Sequence, residues 1–154
     1  MRRYADLLAE ALQRVREIQP WDLSRQLVRD QPPLVLDVRE PAEFALVQIP
    51  GSINVPRGVL EQACEWGYEE TVPALAGHHE RPVVVVCRSG NRSVLAVDVM
   101  QRMGFADVVS LKTGVRGWND VDQPLVDGEG RAVAADDAER RLMPCVRPDQ
   151  CRPS

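Results

Sequence analysis

The spacing of apolar residues changes along the chain, and the changes divide it. Over the first eighteen residues, Tyr4, Leu7, Leu8, Ala11, Leu12, Val15 and Ile18 recur every three or four positions, the spacing of one face of an α-helix. Arg3, Asp6, Glu10, Gln13 and Glu17 fall on the other side, and Pro20 is expected to end the run. A short second helix is predicted over Trp21–Arg29, with Trp21, Leu23 and Leu27 facing inward. After Pro32-Pro33 the period is lost. Leu34-Val35-Leu36 and Val83-Val84-Val85-Val86 are unbroken apolar runs of strand length, which suits parallel strands covered on both faces. Ser52–Val55 and Val108–Leu111 carry a fainter strand signal. Helical patterns separate them: Pro41–Val47, broken pieces across Leu60–Ala76, and Asn91–Met103 with Gly104 placed to cap it. This alternation predicts an α/β fold, a mainly parallel central sheet flanked by helices on both faces. Beyond Asp122 the pattern fades. Asp127-Gly128-Glu129-Gly130 reads as a turn, Asp136–Met143 as a short helix and Pro144–Ser154 as irregular chain. The expected division is an N-terminal amphipathic helix over residues 1–18, an α/β domain over 19–125 and a C-terminal tail over 126–154.

Composition narrows the class. At 154 residues, 44% hydrophobic and 27% charged, the chain is typical of a soluble domain that buries about two-thirds of its surface. Its 19 Lys and Arg against 23 Asp and Glu give a charge of −4, without the basic excess of a nucleic-acid binder. No apolar run is long enough for a membrane span, and Asp6 and Glu10 interrupt any leader-like segment. A cytoplasmic location is the expectation. Cys64, Cys87, Cys145 and Cys151 are too scattered for a disulfide scaffold, and no CxxC or Cys/His cluster suggests a metal. No metal or cofactor is expected. His78-His79 reads as a solvated turn, and Glu61, Glu65, Glu69 and Glu70 as an exposed acidic face. Trp21, Trp66 and Trp118 read as packing residues.

Candidate chemistry gathers in Cys87-Arg88-Ser89-Gly90-Asn91-Arg92-Ser93, directly after the Val83–Val86 run and at the start of a predicted helix. Ligands of open α/β sheets bind at the carboxyl ends of strands, where Cys87 falls. A loop curling around the sulfur aims backbone N–H groups at it, and the helix N-terminus adds positive potential. Arg88 and Arg92 bring full charges, so a thiolate is favoured over a thiol. Gly90 permits a tight turn, while Ser89 and Ser93 offer hydroxyl donors for an anion. A lone cysteine at a strand end is ordinarily a small buried hydrophobe; the two arginines, two serines and glycine around this one favour a nucleophile.

The segment resembles the active-site loop of the rhodanese family of sulfurtransferases. Three further segments agree in order: Leu36-Asp37-Val38-Arg39-Glu40-Pro41-Ala42-Glu43-Phe44, then Ile49-Pro50-Gly51-Ser52-Ile53-Asn54-Val55-Pro56, and Gly114-Val115-Arg116-Gly117-Trp118. The chain departs from the family pattern at Val47-Gln48, where Gly-His is common, and at Val115, where a second glycine is usual. The resemblance implies a rhodanese-like fold and ping-pong sulfur transfer. Cys87 would take sulfane sulfur from thiosulfate or a persulfide donor and hand it to cyanide, a thiol or a sulfur-carrier protein. Arg88 and Ser89 would contact the donor anion, with Gly90, Asn91 and Ser93 completing the binding loop. Arg92 would bind the anion too, or pair with an acid such as Glu43. Asp37 and Arg39 are expected to brace the loop from the neighbouring strand end.

Three other readings remain open. A Cys/Arg phosphatase has five residues between the two, whereas four separate Cys87 from Arg92. A non-catalytic binding module would ordinarily lack the cysteine. Sulfur trafficking would make the protein acceptor the one that matters. Cys145 and Cys151 are either incidental tail thiols or a pair able to close, or to resolve a Cys87 persulfide. Tyr4, Leu8, Ala11, Val15 and Ile18 resemble a short heptad seam, although packing on the chain's own domain is favoured because Leu7 and Leu12 widen the stripe.

Overall fold

The computed structural model describes residues 1–153. In chain order the first half forms α1 (Tyr4–Leu12), β1 (Glu17–Ile18), α2 (Pro20–Leu27), β2 (Leu34–Asp37), α3 (Pro41–Leu46), β3 (Ile53–Asn54), α4 (Leu60–Ala63) and α5 (Pro73–Ala76). The second half forms β4 (Val83–Val86), α6 (Asn91–Arg102), β5 (Val108–Leu111), α7 (Gly114–Asp120), β6 (Leu125–Val126), β7 (Ala132–Val133) and α8 (Ala135–Leu142). Five strands make one all-parallel sheet in the order β1-β5-β4-β2-β3.

Every residue of β2, β4 and β5 is buried. The pleat sends alternate side chains to opposite faces. Leu34, Leu36, Val83, Val85 and Val108 join α1, α4, α5 and α6 in one apolar layer. Val35, Val84, Val86, Val109 and Leu111 join α2, α7 and α8 in the other. Burying one such side chain stabilises the fold by about 1.5–3 kcal/mol. Unbroken apolar runs are therefore what a doubly covered strand requires.

Strand order locates the site. From β2 the chain crosses outward to β3, and from β4 it crosses the opposite way to β5. The connections diverge between β2 and β4, and the crevice beyond the carboxyl ends of such a pair is where α/β sheets bind ligands.

The structure departs from the sequence pattern at both ends. Helix α1 stops at Leu12, and Glu17–Ile18 pairs with β5 as an edge strand. Ser110 N–H donates to the Arg16 carbonyl and Lys112 N–H to that of Ile18; these sheet-edge hydrogen bonds outweigh the helical period. Pro20 opens α2 instead of ending a helix, since a proline at the first helical position gives up an N–H that has no partner there anyway. Leu23 is buried, but Trp21 is half exposed, and so is Trp66; of the three tryptophans only Trp118 is core. Periodicity missed α7 altogether. Beyond Asp122, β6 and β7 form a hairpin whose turn is held by the Asp127 carboxylate, which accepts the N–H groups of Glu129 and Arg131. Ala138 and Leu142 of α8, which lies where a short helix was expected over Asp136–Met143, then pack into the second layer.

Candidate active site

Cys87 follows β4 directly, and Gly90 caps α6 three residues later. Gly90 is left-handed, with φ of +99°, a backbone that only glycine adopts without strain. That turn folds the chain back over the sulfur. Gly90 N–H points at Cys87 Sγ from 3.1 Å, and Ser93 N–H, in the first turn of α6, from 3.4 Å. Cys87 is 1% exposed, so these donors meet the sulfur in a setting with little competing water.

Ser93 is fully buried behind the sulfur. Its hydroxyl lies 3.4 Å from Sγ, donates to the Gly90 carbonyl and meets the Ser110 hydroxyl at 2.8 Å. Facing inward, this hydroxyl braces the loop from behind the sulfur. Gly90, also buried, contributes its N–H and its turn. The cleft above the sulfur, about 340 Å³, is lined by Tyr4, Glu43, Cys87, Arg88, Ser89, Asn91 and Arg92. A second cleft at the opposite end of the sheet, lined by Arg16, Arg29, Asp107 and neighbours, contains no nucleophile.

The two loop arginines differ. Arg92 is held by Glu43 through paired hydrogen bonds of 2.8 Å from Nη1 and Nη2. The Arg92 hydrogen bond lowers the Glu43 carboxyl from its ordinary 4.5 to about 2, with a smaller favourable contribution from Arg39. Glu43 in turn holds Arg92 well above the usual arginine range. Of the two roles open to Arg92, the pair with Glu43 is the one observed. Arg88 is half-buried and its Nε has no hydrogen-bond partner. Among the described residues it is the cleft's uncommitted positive charge.

Asp37 and Arg39, at 0% and 1% exposure, form a closed ion pair in which Arg39 Nη2 meets Asp37 Oδ2 at 2.7 Å and also donates to the Val47 carbonyl. Val47 caps α3, the helix that carries Glu43. The pair is thus linked to the loop at one remove, through α3, Glu43 and Arg92. Breaking such a buried pair by removing one partner costs about 3–5 kcal/mol. Cys145 and Cys151 are exposed, free and outside the cleft, and Cys64 is buried elsewhere in the first layer.

Comparison with known proteins bears on this arrangement. The family model of the Rhodanese-like domain matches residues 21–121. The chain belongs to the rhodanese-like family. A sulfurtransferase of Allochromatium vinosum is 31% identical over 116 residues, 75% of this chain and 99% of the relative. An adenylyltransferase and sulfurtransferase of Drosophila virilis is 39% identical over 101 residues, 64% of this chain but 22% of the relative. The chain thus spans about a fifth of the length of relatives of that kind. Among solved structures, a thiosulfate sulfurtransferase of Pseudomonas aeruginosa superposes with a TM-score of 0.66 at 25% identity, over 90% of this chain and 26% of that one. A Rhodopseudomonas palustris protein of unknown function, described as a possible tyrosine phosphatase, superposes with a TM-score of 0.74 at 26% identity, over 82% and 96%.

The rhodanese-like loop leans on residues that inspection of the loop alone does not reveal. Val115 N–H donates to the Cys87 carbonyl and Arg116 N–H to that of Arg88, so the start of α7 clamps the loop's outer edge. Gly114 permits that approach: a Cβ there would lie 2.4 Å from the Cys87 carbonyl oxygen and 2.6 Å from the Arg88 carbonyl carbon. Val115, the departure from the family's second glycine, turns its side chain into the second layer beside Trp118. Ser110 was missed although a signal existed, since it interrupts the apolar run Val108-Val109-Ser110-Leu111 with one buried hydroxyl. Tyr4 carried no signal, because its place in a helical stripe made it an ordinary packing residue. No helix among the described residues is long and apolar enough to cross a membrane.

Proposed function

We propose that this chain is a sulfurtransferase that carries sulfane sulfur on Cys87, from thiosulfate or a persulfide donor to a thiophilic acceptor. The observation that carries the reading is the convergence of the Gly90 and Ser93 N–H groups on one buried sulfur, beneath a cleft that holds the uncommitted Arg88. In the first half-reaction the Cys87 thiolate attacks the outer sulfur of thiosulfate. A Cys87–sulfur bond forms as the donor's S–S bond breaks, and its electron pair leaves on sulfite. Arg88 meets the donor's negative charge, with Ser89 and Asn91 at the cleft's rim. The loop N–H groups then face the persulfide anion. In the second half-reaction an acceptor nucleophile takes the outer sulfur and the thiolate is restored: cyanide becomes thiocyanate, and a thiol becomes a persulfide. Dividing one difficult transfer into two is the gain of nucleophilic catalysis. The names of the Drosophila relatives join sulfur transfer to adenylylation, which supports a carrier protein as an acceptor class beside small thiols. A reducing compartment such as the cytoplasm suits a mechanism that starts from a free thiol.

The likeness to a protein described as a possible tyrosine phosphatase keeps phosphate chemistry in view. Against it, four residues separate Cys87 from Arg92, and both terminal nitrogens of Arg92 are taken by Glu43. Side-by-side assays of thiosulfate sulfurtransfer and aryl phosphate hydrolysis test the reading. The wild type should transfer sulfur and leave the phosphate intact. Cys87→Ser should lose at least about 99% of the transfer while melting as the wild type does. Phosphate hydrolysis at a comparable rate would overturn the assignment.

A further inference from the structure

Helix α1 lies outside the matched span, yet its first residue reaches the Cys87 cleft. Tyr4 lines that cleft with Cys87, Arg88, Arg92 and Glu43. Its position is fixed by contacts elsewhere. Ala11 is buried against the same apolar layer as Val94 and Val97 of α6, and the Arg14 guanidinium grips the Asp98 carboxylate at 2.9 and 3.1 Å. Because α6 starts at the cysteine loop, anchoring α1 to α6 sets Tyr4 relative to the sulfur. Partial burial and the nearby Cys87 charge raise the Tyr4 hydroxyl above its ordinary value, against a smaller opposing effect of Arg92. Tyr4 is 53% exposed, so the core does not account for its placement.

We propose that Tyr4 is a specificity-determining residue whose ring forms the outer wall of the Cys87 cleft and restricts it to donors and acceptors whose reacting end is slender. The inference rests on the sulfur-transfer reading for its substrates, but the wall itself is a matter of access to Cys87. A compact anion such as thiosulfate passes beside Tyr4 to Arg88. A donor with an aryl group in place of one oxygen meets the ring.

The test compares wild type, Tyr4→Phe and Tyr4→Ala by two readouts. One is the rate of Cys87 persulfide formation from thiosulfate and from benzenethiosulfonate, which carry the same outer sulfur on a small and a bulky body. The other needs no sulfur transfer: alkylation of Cys87 by iodoacetamide and by N-phenylmaleimide, followed on the Cys87 peptide by mass spectrometry. Tyr4→Ala should raise the bulky-to-small ratio about tenfold in both, in the range that added or removed hydrocarbon bulk gives in apolar pockets. Tyr4→Phe, which keeps the ring, should stay within about twofold of the wild type. An unchanged ratio in Tyr4→Ala, or an equal shift in Tyr4→Phe, overturns the proposal. A shifted alkylation ratio in a protein that forms no persulfide from either donor would refute sulfur transfer and leave the wall standing.

Discussion

Cys64 and Cys87 belong to the same apolar layer, and both are almost wholly buried. Cys64 closes the short helix α4. Burial, with a smaller contribution from Glu61, pushes its thiol up to about 11, and it behaves as a compact hydrophobe. Cys87 differs in its local backbone. A left-handed glycine and the first turn of α6 bring two N–H groups onto its sulfur, and an uncommitted arginine lines the cleft above it. Burial alone quiets a thiol; burial beneath aimed backbone dipoles provides a place to keep an anion. The comparison also shows how little sequence separates the two outcomes, since the difference lies in the residues that follow each cysteine.

Breaking the clamp on the Cys87 loop should have the largest effect. In Gly114→Ala the new Cβ collides with the backbone of Cys87 and Arg88. Because neither partner is the movable end of a side chain, we expect a loss of about 3 kcal/mol or more in denaturant unfolding. Misplacing the sulfur should lower thiosulfate turnover by about 100-fold in the molecules that remain folded. Near-normal turnover would mean that the loop does not depend on α7.

Removing the other cysteine should cost some stability and spare turnover. Cys64→Ala leaves a small cavity and is expected to destabilise by about 1–2 kcal/mol. Turnover per folded molecule should stay within about twofold of the wild type, since Cys64 is outside the cleft. A large fall in turnover would place Cys64 on the sulfur path and remove the contrast.

The smallest effect concerns pH. Glu43 titrates near 2 in the folded chain against an ordinary 4.5, so its pair with Arg92 stabilises above about 4.5 and is lost as pH falls through about 2. Both side chains are about one-third exposed, which limits the gain to about 1 kcal/mol. In urea titrations the wild type should exceed Glu43→Gln by this margin from pH 7 to about 5, and the two should converge near pH 2. A constant gap across that range would show that the pair is not what the substitution removes.

Much of this was legible in the sequence, for identifiable reasons. Leu34–Leu36 and Val83–Val86 stood out because strands covered on both faces need apolar residues at every position. The cysteine loop stood out because its chemistry is local: the turn, the donors and the charges all lie within seven residues. What failed to show depends on distant partners. Glu17–Ile18 is a strand only because β5 offers an open edge. The role of Gly114 depends on how closely α7 approaches the Cys87 carbonyl. The pairing of Arg92 with Glu43 was open in one dimension, because it depends on where α3 places that carboxylate. Tyr4 reaches the cleft through the seating of α1 on α6, which no spacing rule conveys.

In the proposed mechanism one of the four cysteines, Cys87, carries the sulfur. The most direct test is the mass of the intact protein after brief exposure to thiosulfate, followed by peptide mapping. One added sulfur atom, about 32 Da, is expected, confined to the Cys87 peptide and discharged by cyanide. Sulfur found on Cys64, Cys145 or Cys151 instead, or none on Cys87, would contradict it.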